Sequence, residues 1–206
     1  MSKPVPPMTD RIMKRVRAKG RGWVFTPRHF VDFGTRGAVD MALSRLAKAG
    51  DIRRVGRGLY DYPRHHDKLG TLSPDPDSLA AALATQSGDS LAPSGAAAAN
   101  SLGISTQVPA KASYATSGRS RTKRAGRRSL TLRHSRAPVL DDAPDSANAV
   151  VQALAYLGKD QIDAAVIARF AQRIDDQDMK ALLRARPQMS GWMGDVVLKI
   201  DVARHG

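Results

Sequence analysis

The sequence predicts an α+β protein of two modules within 206 residues, and three observations lead to this prediction. Helical and strand-like patterns alternate up to about residue 70, whereas mainly helical periodicity follows it. Between them, Leu72-Ser73-Pro74-Asp75-Pro76-Asp77 suits neither a helix interior nor a central strand. Two short strand-like runs flank a strongly basic stretch in the second module. We therefore expect one domain over residues 1–70 and a second over residues 71–206.

The first module shows a regular order of elements. Apolar periodicity and capping residues predict helices over residues 9–20, 26–33 and 35–50, with a short strand at 23–25 between the first two. Two strand candidates, Ile52–Val55 and Leu59–Tyr62, flank a glycine pair suited to a tight turn. Helix, strand, helix, helix, hairpin is the order of a winged helix-turn-helix.

The second module is predicted to be mainly helical with one small basic β-hairpin. Its first helices are expected at Ser78–Thr85 and Pro93–Leu102, the second with proline at its first turn. Strand-like runs at 112–116 and 129–133 predict a hairpin over about residues 111–135. Helical periodicity then predicts a tail of helices over residues 145–204.

The formal net charge of +14 is concentrated in two blocks. Residues 1–65 hold 15 basic and 5 acidic side chains, and residues 119–136 hold 8 basic and no acidic ones. The rest of the chain carries more acidic than basic groups. This distribution predicts an anionic partner for the two basic blocks.

Several classes of function receive no support from the residues. The chain has no cysteine, which excludes disulfides and sulfur-ligated zinc, and all its acidic residues are aspartates. Its five histidines lack metal-binding spacing, and it contains neither a glycine-rich phosphate loop nor a long apolar run. We therefore expect no catalytic residue, no metal, no cofactor and no membrane partner, and a cytoplasmic protein that is not an enzyme.

The outward face of the third helix is the predicted reading surface for double-stranded DNA. A helix of this kind fits the major groove, where arginine can bridge the two acceptors of guanine. The side chains expected to contact bases or nearby phosphates are Arg36, Asp40, Ser44, Arg45 and Lys48. Those expected to hold the DNA backbone are Arg28, Arg53, Arg54 and Arg57, with Arg57 at the hairpin tip. Strand alternation places Arg53 and Arg54 on opposite faces, so not all of these arginines can point at DNA.

The basic stretch of the second module has an open role. Its cations are Arg119, Arg121, Lys123, Arg124, Arg127 and Arg128. They can form a second contact to nucleic acid, a contact to an acidic protein surface, or a solvated loop.

Several segments of the sequence resemble those of a known family. Ala42-Leu43-Ser44-Arg45-Leu46, Gly50–Val55 and Gly56-Arg57-Gly58-Leu59-Tyr60 followed by Pro63 resemble the N-terminal winged helix of AbiEi-like antitoxins. The middle segment is similar to the domain that follows there, at Ser94-Gly95, Ala98–Gly103, Gln107-Val108-Pro109 and Tyr114–Gly118. The resemblance covers about residues 9–136.

The resemblance implies an antitoxin of a bacterial type IV toxin-antitoxin system. Such a protein represses transcription of its own operon by binding inverted repeats, and its partner is a nucleotidyltransferase-like toxin. The recognition helix then corresponds to Arg36–Lys48 and the wing to Ile52–Tyr60. Two other functions stay open on the residues: a basic protein that binds RNA or the ribosome, and an inhibitor that contacts its partner toxin directly.

Overall fold

The computed structural model describes residues 6–107, 112–125 and 128–205. It contains both helices and strands, in agreement with the mixed class expected from the sequence. Two compact units can be separated, one of Met1–Gly88 with Lys123–Leu130 and one of Asp89–Thr122 with Thr131–Gly206. The first unit extends to Gly88, beyond the predicted domain boundary after residue 70. A compact unit is not necessarily an independent domain, so that boundary stays a prediction.

The described residues of the first unit form three α-helices and one 3₁₀ helix. They are α1 (Met8–Lys19), the 3₁₀ helix (Pro27–Phe33), α2 (Arg36–Ala49) and α3 (Pro76–Ser87). α2 begins after Thr35, whose hydroxyl accepts a hydrogen bond from the Ala38 amide at 3.4 Å. It ends at Gly50, where φ is +83°, a conformation that glycine adopts without strain.

A small antiparallel sheet completes this part of the chain. It consists of β1 (Val24–Phe25), β2 (Arg53–Gly56) and β3 (Leu59–Asp61), in the order β1-β3-β2. Arg53 pairs with Asp61 and Arg54 with Tyr60, and the register shifts between Arg54 and Gly56. Two further short strands, β4 (His65–His66) and β5 (Gly70–Thr71), pair with each other.

Aromatic side chains fill the core of the first unit. The Phe25 ring lies 5.6 Å from that of Phe30 in an edge-to-face arrangement and 6.2 Å from that of Tyr60. All three are buried against the apolar faces of α1 and α2, which contribute Ile12, Val16, Val39, Leu43 and Leu46. Buried rings of this kind stabilise the unit and are not exposed for stacking on bases.

A four-stranded sheet has a pairing that differs from the predicted hairpin over residues 111–135. Its strands are β6 (Leu91–Pro93), β7 (Ser113–Thr116), β8 (Arg121–Ala125) and β9 (Arg128–His134), in the order β6-β7-β9-β8. β7 and β9 pair in parallel, so they are not the two arms of one hairpin. Part of the predicted basic loop is instead β8, an outer strand beside β9. Outer strands tolerate charged residues, so a basic composition does not distinguish an outer strand from a loop.

Pro93 also differs from its predicted place. It ends β6, and the helix that follows, α4, begins at Gly95 and ends at Ser101. β6 lies at the edge of the sheet, where a residue without an N–H group is tolerated.

The C-terminal tail contains four α-helices. They are α5 (Asp145–Leu157), α6 (Ala164–Arg173), α7 (Asp176–Ala185) and α8 (Gly191–His205). Their buried residues form one apolar cluster with α4, which includes Val150, Leu154, Phe170, Leu182 and Val197. Within the described ranges, no helix combines the length and apolar character needed to cross a bilayer.

Candidate nucleic-acid interface

α2 has one buried and one exposed face. Val39, Ala42, Leu43 and Leu46 are buried, each at most 5% exposed. The opposite face exposes Gly37, Met41, Ser44, Arg45 and Lys48. This face is cationic and has little bulk near its start, because a Cβ placed on Gly37 would meet no atom within 4 Å.

Two of the predicted base-contacting residues are paired with each other. The Arg36 Nε–H donates to both carboxylate oxygens of Asp40, at 3.1 and 3.0 Å. Both side chains are about half exposed, and an exposed pair one helical turn apart contributes only about 0.3–0.5 kcal/mol. The pair can therefore open at small cost when another anion approaches Arg36.

Arg45 lies beside an open groove between α1 and the end of α2. The groove has a volume of about 490 Å³, and its charged lining consists of Asp10, Lys14, Arg17, Arg45 and Asp51. Cations outnumber carboxylates by one along it. Lys14 and Arg17 are both exposed, so the cationic surface extends from α2 onto α1.

The turn between β2 and β3 is exposed and is held from α3. Arg57 lies at its tip, and Gly58 has φ of +66°. The Gln86 side-chain amide donates to the Arg57 carbonyl oxygen at 3.0 Å. Arg54 is exposed one strand position before the register shift, and its Nε–H reaches the Gly56 carbonyl oxygen at 3.4 Å. Sequence reasoning missed Gln86, because no local signal links residue 86 to a turn at residue 57.

Arg53 occupies a different environment from its two neighbours. Its Nε and Nη2 groups donate to the two carboxylate oxygens of Asp61 at 3.0 and 2.5 Å. Nη2 also donates to the Leu72 carbonyl oxygen at 2.8 Å, and Asp61 is only 1% exposed. These contacts direct the guanidinium inward, to a buried carboxylate.

Other arginines of the first unit also make internal contacts. The Arg15 guanidinium donates to Asp32 at 2.8 and 2.6 Å and lies 4.0 Å from the centre of the Phe33 ring. The hydrogen bonds with Arg15 hold the pKa of the Asp32 carboxyl below its usual range and raise the pKa of Arg15. Arg28 is exposed, and its Nη1–H donates to the Thr85 carbonyl oxygen at 3.2 Å.

The basic stretch of the second module divides into bonded and exposed cations. Arg121 donates to Asp89 at 2.7 Å and to the Arg119 carbonyl oxygen at 3.2 Å. Lys123 and Arg124 are exposed on β8. Arg127 lies outside the described residues, and Arg128 is described only as the start of β9.

Within the described residues, no group of three or more histidine or aspartate side chains gathers as a metal site. The fold and surface define a mixed α/β protein with a cationic helix face and an exposed, basic hairpin turn.

The chain belongs to a family of unknown function, DUF6088, which it matches over residues 11–182. No curated protein and no solved structure matches it significantly. The family match spans residues of both compact units, so the two units belong to one family pattern.

Proposed function

We propose that the protein binds double-stranded DNA through a winged helix-turn-helix formed by residues 8–61. In this proposal the 3₁₀ helix and α2 are the helix-turn-helix, α2 is the recognition helix, and β2 with β3 is the wing. The order of the elements and the three-stranded antiparallel sheet support this assignment.

One observation carries the proposal: the exposed face of α2 is cationic and lies opposite a continuous buried stripe. Arg45 and Lys48 extend from this face, and the short side chains at Gly37 and Ser44 allow the helix axis to approach a groove floor. Arginine that reaches guanine forms two hydrogen bonds at once. The exposed Met41 side chain is suited to contact a thymine methyl group.

The wing is assigned to the DNA backbone. Arg54 and Arg57 are exposed there, and a turn held by Gln86 presents Arg57 in a fixed place. Arg53 supports the wing from inside through Asp61 instead of contacting phosphate itself.

The biological role rests on the resemblance to AbiEi-like antitoxins. On that basis the protein represses its own operon in a bacterial type IV toxin-antitoxin system, and its partner is a nucleotidyltransferase-like toxin. The residues that carry the resemblance include Ser44-Arg45-Leu46 of the recognition helix and Gly56-Arg57-Gly58 of the wing.

Fluorescence anisotropy on three nucleic acids tests the proposal. The probes are the DNA upstream of the gene, the same DNA scrambled, and a structured RNA, each across a salt series. We expect the upstream DNA to bind at least about 10³-fold tighter than the scrambled one. Equal binding to both DNAs, with tighter binding to RNA, would replace the repressor by an RNA-binding protein. Loss of all binding at moderate salt would remove the nucleic-acid role.

A further inference from the structure

The second unit contains a cleft that lies outside the proposed DNA-binding surface. It has a volume of about 510 Å³ and lies between β7, the end of β9 and the helices α4 and α5. This volume is typical of small-molecule sites. All the residues that line it belong to the second unit.

The lining of the cleft is cationic. Arg133, His134 and Arg136 face it, and none of the described residues along its wall is acidic. This contrasts with residues 137–206, which hold ten aspartates against eight basic side chains. The cleft's cations come from the basic block 119–136, whereas residues 137–206 supply only uncharged side chains to its wall, so the lining as a whole favours an anionic ligand.

Three polar side chains in the wall of the cleft are held in place. The Ser135 hydroxyl donates to the Gln152 side-chain oxygen at 2.8 Å, and the Gln152 amide donates to the Pro138 carbonyl oxygen at 3.0 Å. The Nδ1–H of His134 donates to the Gly118 carbonyl oxygen at 3.0 Å, which leaves Nε2 as the other polar atom of the ring. These hydrogen bonds fix the wall of the cleft from which Arg133 and Arg136 extend.

Ser94 supplies the unexplained polar atom of the cleft. Its hydroxyl oxygen is buried and has no hydrogen-bond partner among the described residues. A buried hydroxyl without a partner is costly, and because this oxygen has almost no accessible surface, it meets a ligand oxygen once its side chain turns toward the cleft. Ser94 and the two arginines together form a set of donors suited to a phosphate group.

The remaining walls are apolar and aromatic. Alanine side chains at 96, 115, 137 and 155 leave space, and the rings of Tyr114 and Tyr156 complete the lining. α4 approaches α5 closely, since a Cβ on Gly95 would lie 2.5 Å from Tyr156 Cβ. The Tyr156 hydroxyl donates to the Gln107 side-chain oxygen at 2.9 Å, which orients the half-exposed ring.

We propose that this cleft binds a nucleotide. Its phosphate lies on Arg133, Arg136 and the Ser94 hydroxyl, and its base lies against the Tyr156 ring, since aromatic faces bind flat bases without selecting their sequence. The proposal is independent of the DNA-binding surface, because none of its residues belongs to α2 or to the β2–β3 turn.

Titration calorimetry on the full chain tests the cleft with three probes: AMP, adenosine and inorganic phosphate. We expect AMP to bind more tightly than either of the others, because it engages the cations and the ring together. Arg133→Gln and Arg136→Gln should each weaken AMP by about tenfold or more, the loss of one charge-assisted hydrogen bond. Tyr156→Ala should weaken AMP while leaving inorganic phosphate unchanged.

Arg169→Gln is the matched control, since Arg169 is an exposed arginine of α6 outside the cleft. It removes the same charge from the same unit and should leave AMP binding intact. Far-UV circular dichroism checks that every variant is folded. Equal weakening by Arg169→Gln and Arg133→Gln would show general charge attraction and overturn the site. Equal affinity for phosphate and AMP would overturn the nucleotide assignment, as would AMP binding that survives both cleft arginine variants.

Discussion

Among individual residues, Arg53 and Asp61 form an ion pair that joins β2 to β3. Asp61 is 1% exposed and Arg53 is its cationic partner, so Arg53→Ala leaves a buried carboxylate without its ion pair. We expect this change to lower the free energy of unfolding by about 3 kcal/mol in urea denaturation. Arg54→Ala, at the next and exposed position, should change it by less than about 0.5 kcal/mol. Equal losses in the two variants would remove the structural role given to Arg53.

Arg45 and Arg57 should differ in the kind of affinity they supply. Arg45→Ala is expected to cost about 1–3 kcal/mol on the upstream DNA and less on scrambled DNA, because a base contact discriminates between sequences. Arg57→Ala should weaken both DNAs alike and reduce the salt slope by about one. Anisotropy across salt measures both effects. An equal loss on both DNAs for Arg45→Ala would reassign that side chain to phosphate.

His29 gives the first unit a dependence on pH. Burial lowers the pKa of its imidazole, with Lys19 and Arg15 acting in the same direction, and its Nδ1 accepts the Thr26 N–H at 3.1 Å. Below its ordinary pKa of about 6.5 the unfolded chain takes up a proton that the folded chain resists. The contribution of His29 to the free energy of unfolding should therefore be fully present above about pH 6.5. It should decrease as the pH falls toward the lower pKa of the folded state.

We expect the free energy of unfolding to fall by up to about 1 kcal/mol from His29 between pH 7.5 and 5.5. His29→Asn, which keeps an acceptor for the Thr26 N–H, should show a smaller change over this range. The carboxyls of Asp32 and Asp176 titrate below this window, because hydrogen bonds from Arg15 and Arg204 lower their pKa values. The same pH dependence in both proteins would exclude His29 as its source.

The wing arginines show what residue-level reasoning can and cannot reach. Strand alternation predicts that Arg53 and Arg54 face opposite sides, and the structure agrees, with Arg53 paired to Asp61 and Arg54 exposed. Which of the two points inward depends on Asp61, which lies opposite Arg53 in the strand register. That pairing is formed across the turn and is absent from the local pattern.

At the scale of elements, α2 offers a test that separates stability from binding. Gly37 is exposed in its first turn with open space around its Cβ position. Gly37→Ala should raise the free energy of unfolding by about 0.5 kcal/mol, because alanine favours the helix. The same methyl group should weaken binding to the upstream DNA by obstructing close approach of α2.

Gly50→Ala is the control at the other end of α2. Gly50 also has open space but a φ of +83°, so alanine there should lower the free energy of unfolding by about 1 kcal/mol. Thermal or urea denaturation with anisotropy measures both variants. If Gly37→Ala is more stable and binds DNA as well as the parent chain, α2 does not enter a groove closely.

Elements were predictable where their signals are local. α2 has a threonine cap, an apolar stripe and a terminal glycine within sixteen residues, and the predicted helix over 35–50 matches Arg36–Ala49 with its caps. The sequence does not reveal β6, because its partner β7 lies about twenty residues further along the chain. It does not reveal β8, because the basic composition of this strand is also typical of a loop. Pro93 followed the rule for helix starts, but an edge strand accepts proline equally well.

At the scale of the whole molecule, the part of the second basic block that belongs to the first unit can be tested for a role in DNA binding. Lys123–Leu130 belongs to the same compact unit as α2 and the β2–β3 turn. Lys123→Gln with Arg124→Gln should therefore weaken upstream and scrambled DNA alike and reduce the salt slope by up to about two. Lys180→Gln with Arg184→Gln, at exposed positions of α7, is the matched control. Unchanged DNA affinity in the Lys123 and Arg124 variant would leave this stretch for another partner.

The charge blocks located the candidate surface, but they overestimate the cations that it offers. Composition counts every arginine equally, whereas Arg15 pairs with Asp32 and Arg53 with Asp61. Arg45, Lys48 and Arg57 remain exposed. Separating the two groups requires knowing which aspartates lie nearby in space, and the sequence alone does not contain that information.

The first unit combines two separate stretches of the chain, and this affects the order in which the chain folds during synthesis. Residues 123–130 belong to this unit although Asp89–Thr122 is translated before them. The ribosome must therefore release about half as much chain again as Met1–Gly88 contains before the unit has all its parts. A nascent chain that stalls between these points exposes an incomplete unit to chaperones and proteases, so translation speed through Asp89–Thr122 sets how long that exposure lasts.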